Sequence, residues 1–250
     1  MIPGLYTIIK AEDLTMTSLT SFQILDLLNR PRPLWLVRID LSDTNLSLAD
    51  FTGSNLSMAN LTRTDLVSSR FLDANLDRAN LTYANLFEAQ MVNCSLTQAT
   101  LTRSNLTRAN LTQANLEEAI LVEAVLSRAI LTKANLSHAN LSNATLARAD
   151  ISKANLEHAN LNGADLYLAN LFQANLSRAD LRKCNLSGAD LSEAILTGAL
   201  LDQAQLEGVN LSGAIMPDGS QNPVPSEAEG FRSGKPPAES RAALEPNPAS

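Results

Sequence analysis

Residues 131–160 read LTKANLSHANLSNATLARADISKANLEHAN. A bulky apolar residue stands at Leu131, Leu136, Leu141, Leu146, Ile151 and Leu156, and Ala stands two places before each of the last five. The residue between them is Asn, Asp or Thr. Outward from this stretch the rhythm holds without a slip from Leu41 to Met216, over 36 places. All are Leu except Phe51, Phe71, Met91, Ile151 and Met216. The small place is Ala except at Thr44, Ser54, Thr64, Ser69, Cys94, Ser104, Cys184 and Val209.

Five matches neither regular period. On an α-helix a step of five turns about 500°, so successive leucines would miss one another by roughly 140°. On a straight strand an odd step alternates faces. The leucines share one side only if the chain bends once per unit, and a chain that bends regularly in one sense coils. Successive coils then pair through their backbones, about 4.8 Å apart. One large and one small side chain per unit fill a narrow tube in layers. Asn or Asp suits a bend, because its side chain bonds nearby backbone. The last two places of each unit are polar and face water.

The tandem Ala-(Asn/Asp)-Leu-x-x unit resembles the pentapeptide repeat family, and the resemblance covers most of the chain. It implies an all-β fold, a right-handed quadrilateral β-helix in which four units make one square coil of 20 residues. The junction Gly213-Ala214-Ile215-Met216-Pro217-Asp218-Gly219 resembles endings of cyanobacterial members.

Three segments are expected. Residues 1–39 lack the rhythm and read as an amino-terminal cap with a short helix. Ser21 would cap that helix, and Phe22, Ile24, Leu25, Leu27 and Leu28 recur along it at helical spacing. Pro31 and Pro33 end it, and Trp35, with Leu34 and Leu36, leads into the first coil. Such a cover is what the open end of a solenoid requires. Residues 40–216 form the β-helix. Residues 217–250 hold seven of the ten prolines and almost no large apolar residues, which predicts a disordered tail after the turn Pro217-Asp218-Gly219.

Composition narrows the function. The chain is 45% hydrophobic but only 4% aromatic, with a net charge of −7. No apolar run spans a bilayer and no secretory leader is evident. Cys94 and Cys184 both occupy the small place, 18 units apart, so the coil keeps them from pairing. They read as buried hydrophobes in a reducing cytoplasm. Asn-Leu-Ser/Thr matches at Asn55, Asn80, Asn105, Asn135 and Asn185 imitate glycosylation acceptors only because the repeat generates them.

Twenty residues per coil would sort outward residues into columns. Arg108, Arg128 and Arg148 fall in one column, Lys133 and Lys153 in the next, and Glu118, His138, His158 and Arg178 in the one after. The middle of the tube should carry a basic band suited to an anionic partner surface, or simply a solvated row of charges. His138 and His158, with Glu117, Glu118 and Glu157, raise a metal reading, but two exposed histidines sharing a column is the plainer one. Ile120, Val125 and Ile130 replace Asn/Asp in three consecutive units, beside Val122, and would form an outward apolar girdle. Phe87, Tyr167, Leu168 and Phe172 are further outward apolar residues.

No phosphate loop, nucleophile elbow or metal motif is present, and a tube filled with Leu leaves no ligand-sized pocket. The expectation is a rod that is not an enzyme, carries no cofactor and presents its surface to a protein partner, with no nucleic acid bound. The alternative comes from the resemblance: some family members mimic a DNA duplex and bind DNA gyrase or another type II topoisomerase. That role calls for a continuous acidic face and, in those members, an apolar carboxyl-terminal dimer cap. The basic band and the polar tail here fit neither.

Overall fold

The structure is a computed structural model in which residues 24, 26 and 28–223 are described. Parallel bridges run in unbroken series from Trp35↔Asn55 to Ile195↔Ile215, each joining residues 20 apart. Four five-residue units therefore make one coil, and each unit forms one side.

The unit Leu136–Asn140 shows how the backbone is satisfied. Leu136 N–H donates to the Asn155 carbonyl at 2.7 Å and His138 N–H to the Glu157 carbonyl at 2.9 Å, both one coil on. Asn140 N–H donates back to the Ala119 carbonyl at 2.9 Å. Ala139 N–H donates to the Leu136 carbonyl at 3.0 Å, closing a turn within the unit. The remaining N–H, that of Ser137, donates to Oδ1 of Asn135 at 3.2 Å. Five donors thus find five acceptors, as buried or half-buried backbone requires.

Every third place of the unit, from Arg38 to Gly213, has positive φ, between 53° and 72°. A turn closed by a first-to-fourth hydrogen bond with positive φ at its third residue has type II character. Most of these residues are long, such as Arg128, Lys133 and His138, and only a minority are Gly. An L-residue in this conformation costs roughly 1–2 kcal/mol. The ladder bond from its own N–H, like that of His138, holds it there.

Inside, Leu, Phe, Met and Ile at the large place and Ala at the small place are almost wholly buried along the tube. Phe51 and Phe71 stack one above the other at 5.1 Å. Where a hydroxyl takes the small place it is satisfied: Thr64 Oγ1 donates to the Leu41 carbonyl at 2.9 Å and Ser69 Oγ to the Leu66 carbonyl at 2.6 Å.

Both ends differ from expectation. Leu34 and Leu36 are buried at the small and large places, and Trp35 already bridges Asn55, so the ladder begins inside the segment read as cap. Trp35 points outward and is 77% exposed. Ile24, Asp26 and Leu28 are helical; Ile24 is buried in the core cluster and Leu28 packs against it. Ser21, Phe22, Leu25 and Leu27, on which the rest of the expected helix depends, lie outside the described residues.

At the other end, ordered structure runs past Met216, after which the tail was expected to begin. Ile215 pairs antiparallel with Gln221, Gly213 N–H donates to the Asn222 carbonyl, and Met216 N–H donates to the Ser220 carbonyl. Pro217-Asp218-Gly219 is the turn of that hairpin. The hairpin covers only part of the last coil, so Leu206 is 42% exposed although it keeps the inward register. The remainder of the expected tail, 224–250, lies outside the described residues.

Candidate functional site

The four sides are conveniently named by the residues at their third places. The tyrosine wall carries Tyr83, Arg103 and Glu123; the arginine wall Arg108, Arg128 and Arg148; the lysine wall Lys133 and Lys153; the histidine wall Glu118, His138 and His158.

Ladder bonds fix the arginine column. Arg108 N–H donates to the Ser127 carbonyl at 3.1 Å and Arg128 N–H to the Ala147 carbonyl at 3.0 Å, so the three arginines are stacked. They are not equivalent. Arg108 Nη1 lies 3.1 Å from Glu88 Oε1, and its guanidinium sits over the Phe87 ring at 6.0 Å. Among the described residues, neither Arg128 nor Arg148 meets a carboxylate. On the adjoining side Lys153 lies over the Phe172 ring at 6.0 Å, and Lys133 likewise has no carboxylate partner among the described residues. Within the band, the cations without a carboxylate among the described residues are therefore Arg128, Arg148, Lys133 and Lys153, and the band begins one coil later than the sequence suggests.

Some charges elsewhere cancel along their own columns. On the tyrosine wall Arg103 Nε donates to Glu123 Oε2 at 2.7 Å and its Nη1 to the Tyr83 hydroxyl at 2.8 Å. That hydrogen bond, followed by the nearby positive charge, holds Glu123 below the ordinary carboxylate range. Arg63 and Asp43 pair similarly lower on the same wall, and Asp43 is also lowered, first by its bond from Arg63. Sequence reading missed these pairs, although opposite charges 20 residues apart are their signal.

On the histidine wall the imidazoles of His138 and His158 stack at 5.0 Å with 7° between planes. Arg178 Nη1 approaches His158 Nε2 at 3.5 Å, and Glu157 lies at 4.0 Å. Among the described residues, no three His, Cys, Asp or Glu side chains are grouped to hold a metal ion. Burial pushes both cysteine thiols up to about 12, so neither is a nucleophile at neutral pH.

The apolar girdle does point outward: Ile120, Val125 and Ile130 are 40%, 38% and 41% exposed. Val125 and Ile130 flank Arg128 in sequence and lie on the arginine and lysine walls. Tyr167 and Leu168 are exposed further along the arginine wall. Mid-rod, these two walls thus combine unpaired cations with exposed apolar groups. No described helix is long and apolar enough to cross a membrane.

Known proteins share this coil. Among curated proteins none matches the chain. Of the solved structures, HetL, a pentapeptide repeat protein involved in heterocyst differentiation regulation from the cyanobacterium Nostoc sp. strain PCC 7120, is 33% identical. The alignment covers 82% of this chain and 100% of that one, with a TM-score of 0.40. A trypsin-treated variant of QnrB1, a plasmid-mediated fluoroquinolone resistance protein, is 23% identical over 72% of this chain and 90% of that one. Its TM-score of 0.62 reports a shared fold. The family model for pentapeptide repeats, whose members form right-handed quadrilateral β-helices, matches in successive copies from residue 36 to residue 217. With a 20-residue coil built of five-residue sides and a family match over most of its length, this chain belongs to the pentapeptide repeat family.

Proposed function

We propose that the rod is a non-enzymatic scaffold whose arginine and lysine walls bind a protein partner. The observation that carries this reading is the pair Arg128 and Arg148. They are stacked, lack a carboxylate among the described residues, and sit beside exposed Val125 and Ile130. Stacked like charges left uncompensated raise local potential and attract an anionic surface. Exposed apolar groups beside them supply area to bury. A core filled by Leu and Ala leaves the outside of the tube as the working surface. The described residues before Leu34 belong to an amino-terminal cap, in keeping with buried Ile24 and with Leu28 packed against the core. Two thiols held apart in the core suit a cytoplasmic setting.

The test is capture of the partner from the source cells, with a variant carrying both Arg128→Glu and Arg148→Glu as control. Capture by the wild type and loss by a variant of equal melting temperature supports the reading. Equal capture by both removes these walls from it.

Mimicry of DNA at a type II topoisomerase is the second reading. Family membership prompts it, since some pentapeptide repeat proteins act in this way. Arg128 and Arg148 oppose it, because a duplex mimic needs unbroken negative charge. Unchanged gyrase supercoiling at a large molar excess of the rod eliminates mimicry; inhibition or protection of the enzyme would replace the first reading.

A further inference from the structure

The Asn or Asp of the repeat has one constant job. In every described unit that carries it at the bridge place, its Oδ1 accepts the N–H two residues on. Examples are Asn140 to Ser142 at 3.1 Å, Asn105 to Thr107 at 3.1 Å and Asp165 to Tyr167 at 3.1 Å. Where another residue takes the place, that outward N–H loses its acceptor. One exception is Thr97, whose N–H is accepted by Asp77 from the coil before, at 3.1 Å.

The losses are not scattered evenly. On the arginine wall Val125 and Thr145 are consecutive in one column, so the N–H groups of Ser127 and Ala147, one coil apart, lack an acceptor among the described residues. Two other walls also carry such a neighbouring pair. On the tyrosine wall, Thr100 and Ile120 leave the N–H groups of Thr102 and Val122 open, but Arg103 beside them is committed to Glu123 and Tyr83. On the lysine wall, Arg70 and Gln90 leave Leu72 and Val92 open, and the third-place neighbours are Asp73 and Asn93. Further along that wall Ile130 opens Thr132 beside Lys133, but singly, because Asp150 in the next coil holds Ser152. Only on the arginine wall does a stacked pair of open N–H groups adjoin third-place cations without a carboxylate among the described residues, namely Arg128 and Arg148.

We propose that Ser127 N–H, Ala147 N–H and the guanidinium groups of Arg128 and Arg148 form an oxyanion site that takes a carboxylate side chain of an acidic protein segment. This site rests on the partner reading above and names the chemistry of the contact. The incoming carboxylate oxygen occupies the place that Asn or Asp Oδ1 fills in the other units. Each open N–H offers a directed hydrogen bond, and each arginine a charge-assisted one, the stronger kind. The exposed methyls of Val125 and Ile130, with Tyr167 and Leu168 further along, favour a partner with apolar residues among its acids over a bare phosphate chain. A net charge of −7 also repels a nucleic acid as a whole.

The site can be filled from within. Val125→Asn together with Thr145→Asn restores the internal acceptors and leaves every arginine in place. This variant restores the consensus residue, so its melting temperature should equal or exceed the wild type. The full chain, labelled with nitrogen-15, is titrated with a hexaglutamate peptide and, separately, with a six-residue thymidine oligonucleotide. The expected result is that hexaglutamate shifts the Ser127 and Ala147 amides and leaves Thr102 and Val122 still. The double Asn variant should bind about tenfold more weakly or worse, as should Arg128→Gln with Arg148→Gln.

Equal peptide affinity in the double Asn variant, or shifts that spare Ser127 and Ala147, overturns the site. So does tighter binding of the oligonucleotide than of the peptide. The two readings fail separately. Partner capture that ignores the double Asn change refutes this site and keeps the docking wall. Peptide binding through Ser127 and Ala147, with capture indifferent to Arg128→Glu and Arg148→Glu, refutes the docking wall and keeps the site.

Discussion

Oδ1 of Asn140 accepts the N–H of Ser142 at 3.1 Å, and the same bond recurs along all four walls of the rod. It explains why Asn or Asp is the usual residue between the small and large places. Four of the five backbone donors in a unit are used by the ladder and the turn, and this side chain takes the fifth.

Removal of that acceptor should therefore cost stability without changing the fold. Asn140→Ala leaves the Ser142 N–H to water and is expected to lower stability by about 0.5–1.5 kcal/mol, whereas Asn140→Asp keeps the acceptor and most of the stability. Urea unfolding of the two variants checks this. Equal loss in both would mean that the side chain acts other than through Oδ1.

Ala139 is wholly buried at a small place. Ala139→Leu adds volume to a tube already filled by layers of Leu and should destabilise by about 1–3 kcal/mol or more. A melting temperature equal to wild type would show that the tube has room, against the packing described above.

The Arg103–Glu123 pair gives a pH dependence of known sign. A carboxylate whose folded pKa lies below its unfolded one adds stability above the unfolded value and loses it as pH falls through the folded one. Glu123 is lowered from an ordinary value of 4.5, so its contribution is present at neutral pH and fades on the acid side of 4.5. A carbon-13 titration of the Glu123 carboxyl should show the depressed value in the wild type and a return toward 4.5 in Arg103→Gln. An unchanged titration in the variant would contradict the pairing.

Cys94 and Cys184 are buried, and burial raises both thiols to about 12. Neither should react with a disulfide reagent in the native rod at about pH 8, and both should react once it is unfolded. Fast native labelling of either would place it outside the core.

Much of this structure is written openly in the chain, because a period of five admits only a coil. The stacking of Leu131 beneath Ile151, and of Arg128 beneath Arg148, follows from that period and a four-sided turn. The positive φ at His138 or Lys133 has no such signal. A sequence advertises this conformation through Gly, and long residues tolerate it here because the ladder holds them. The true start of the ladder at Leu34 was masked by Pro33 and Trp35, which break the consensus while Leu34 and Leu36 keep the register. At the far end, composition marks the polar character of the last segment, yet the Ile215–Gln221 hairpin is set by backbone bonds that composition does not report.

The candidate site was legible in outline only. Columns follow from arithmetic, so Arg128, Arg148, Lys133 and Lys153 could be grouped from sequence alone. That Arg108 is consumed by Glu88 depends on which way two long side chains swing. The open N–H groups of Ser127 and Ala147 have no sequence signal beyond Val125 and Thr145 standing where Asn or Asp otherwise accepts those protons.

All of this depends on Arg128 lying one coil before Arg148, held by the bond from Arg128 N–H to the Ala147 carbonyl at 3.0 Å. A long-range HNCO spectrum reads that bond directly, through the coupling of an amide nitrogen to the carbonyl carbon that accepts its proton. A cross-peak is expected from the Arg128 nitrogen to the Ala147 carbonyl, and from the Leu131 nitrogen to the Asp150 carbonyl. Cross-peaks from those nitrogens to the carbonyls of Ala124 and Ser127 instead, four residues earlier, would report an α-helix and contradict it.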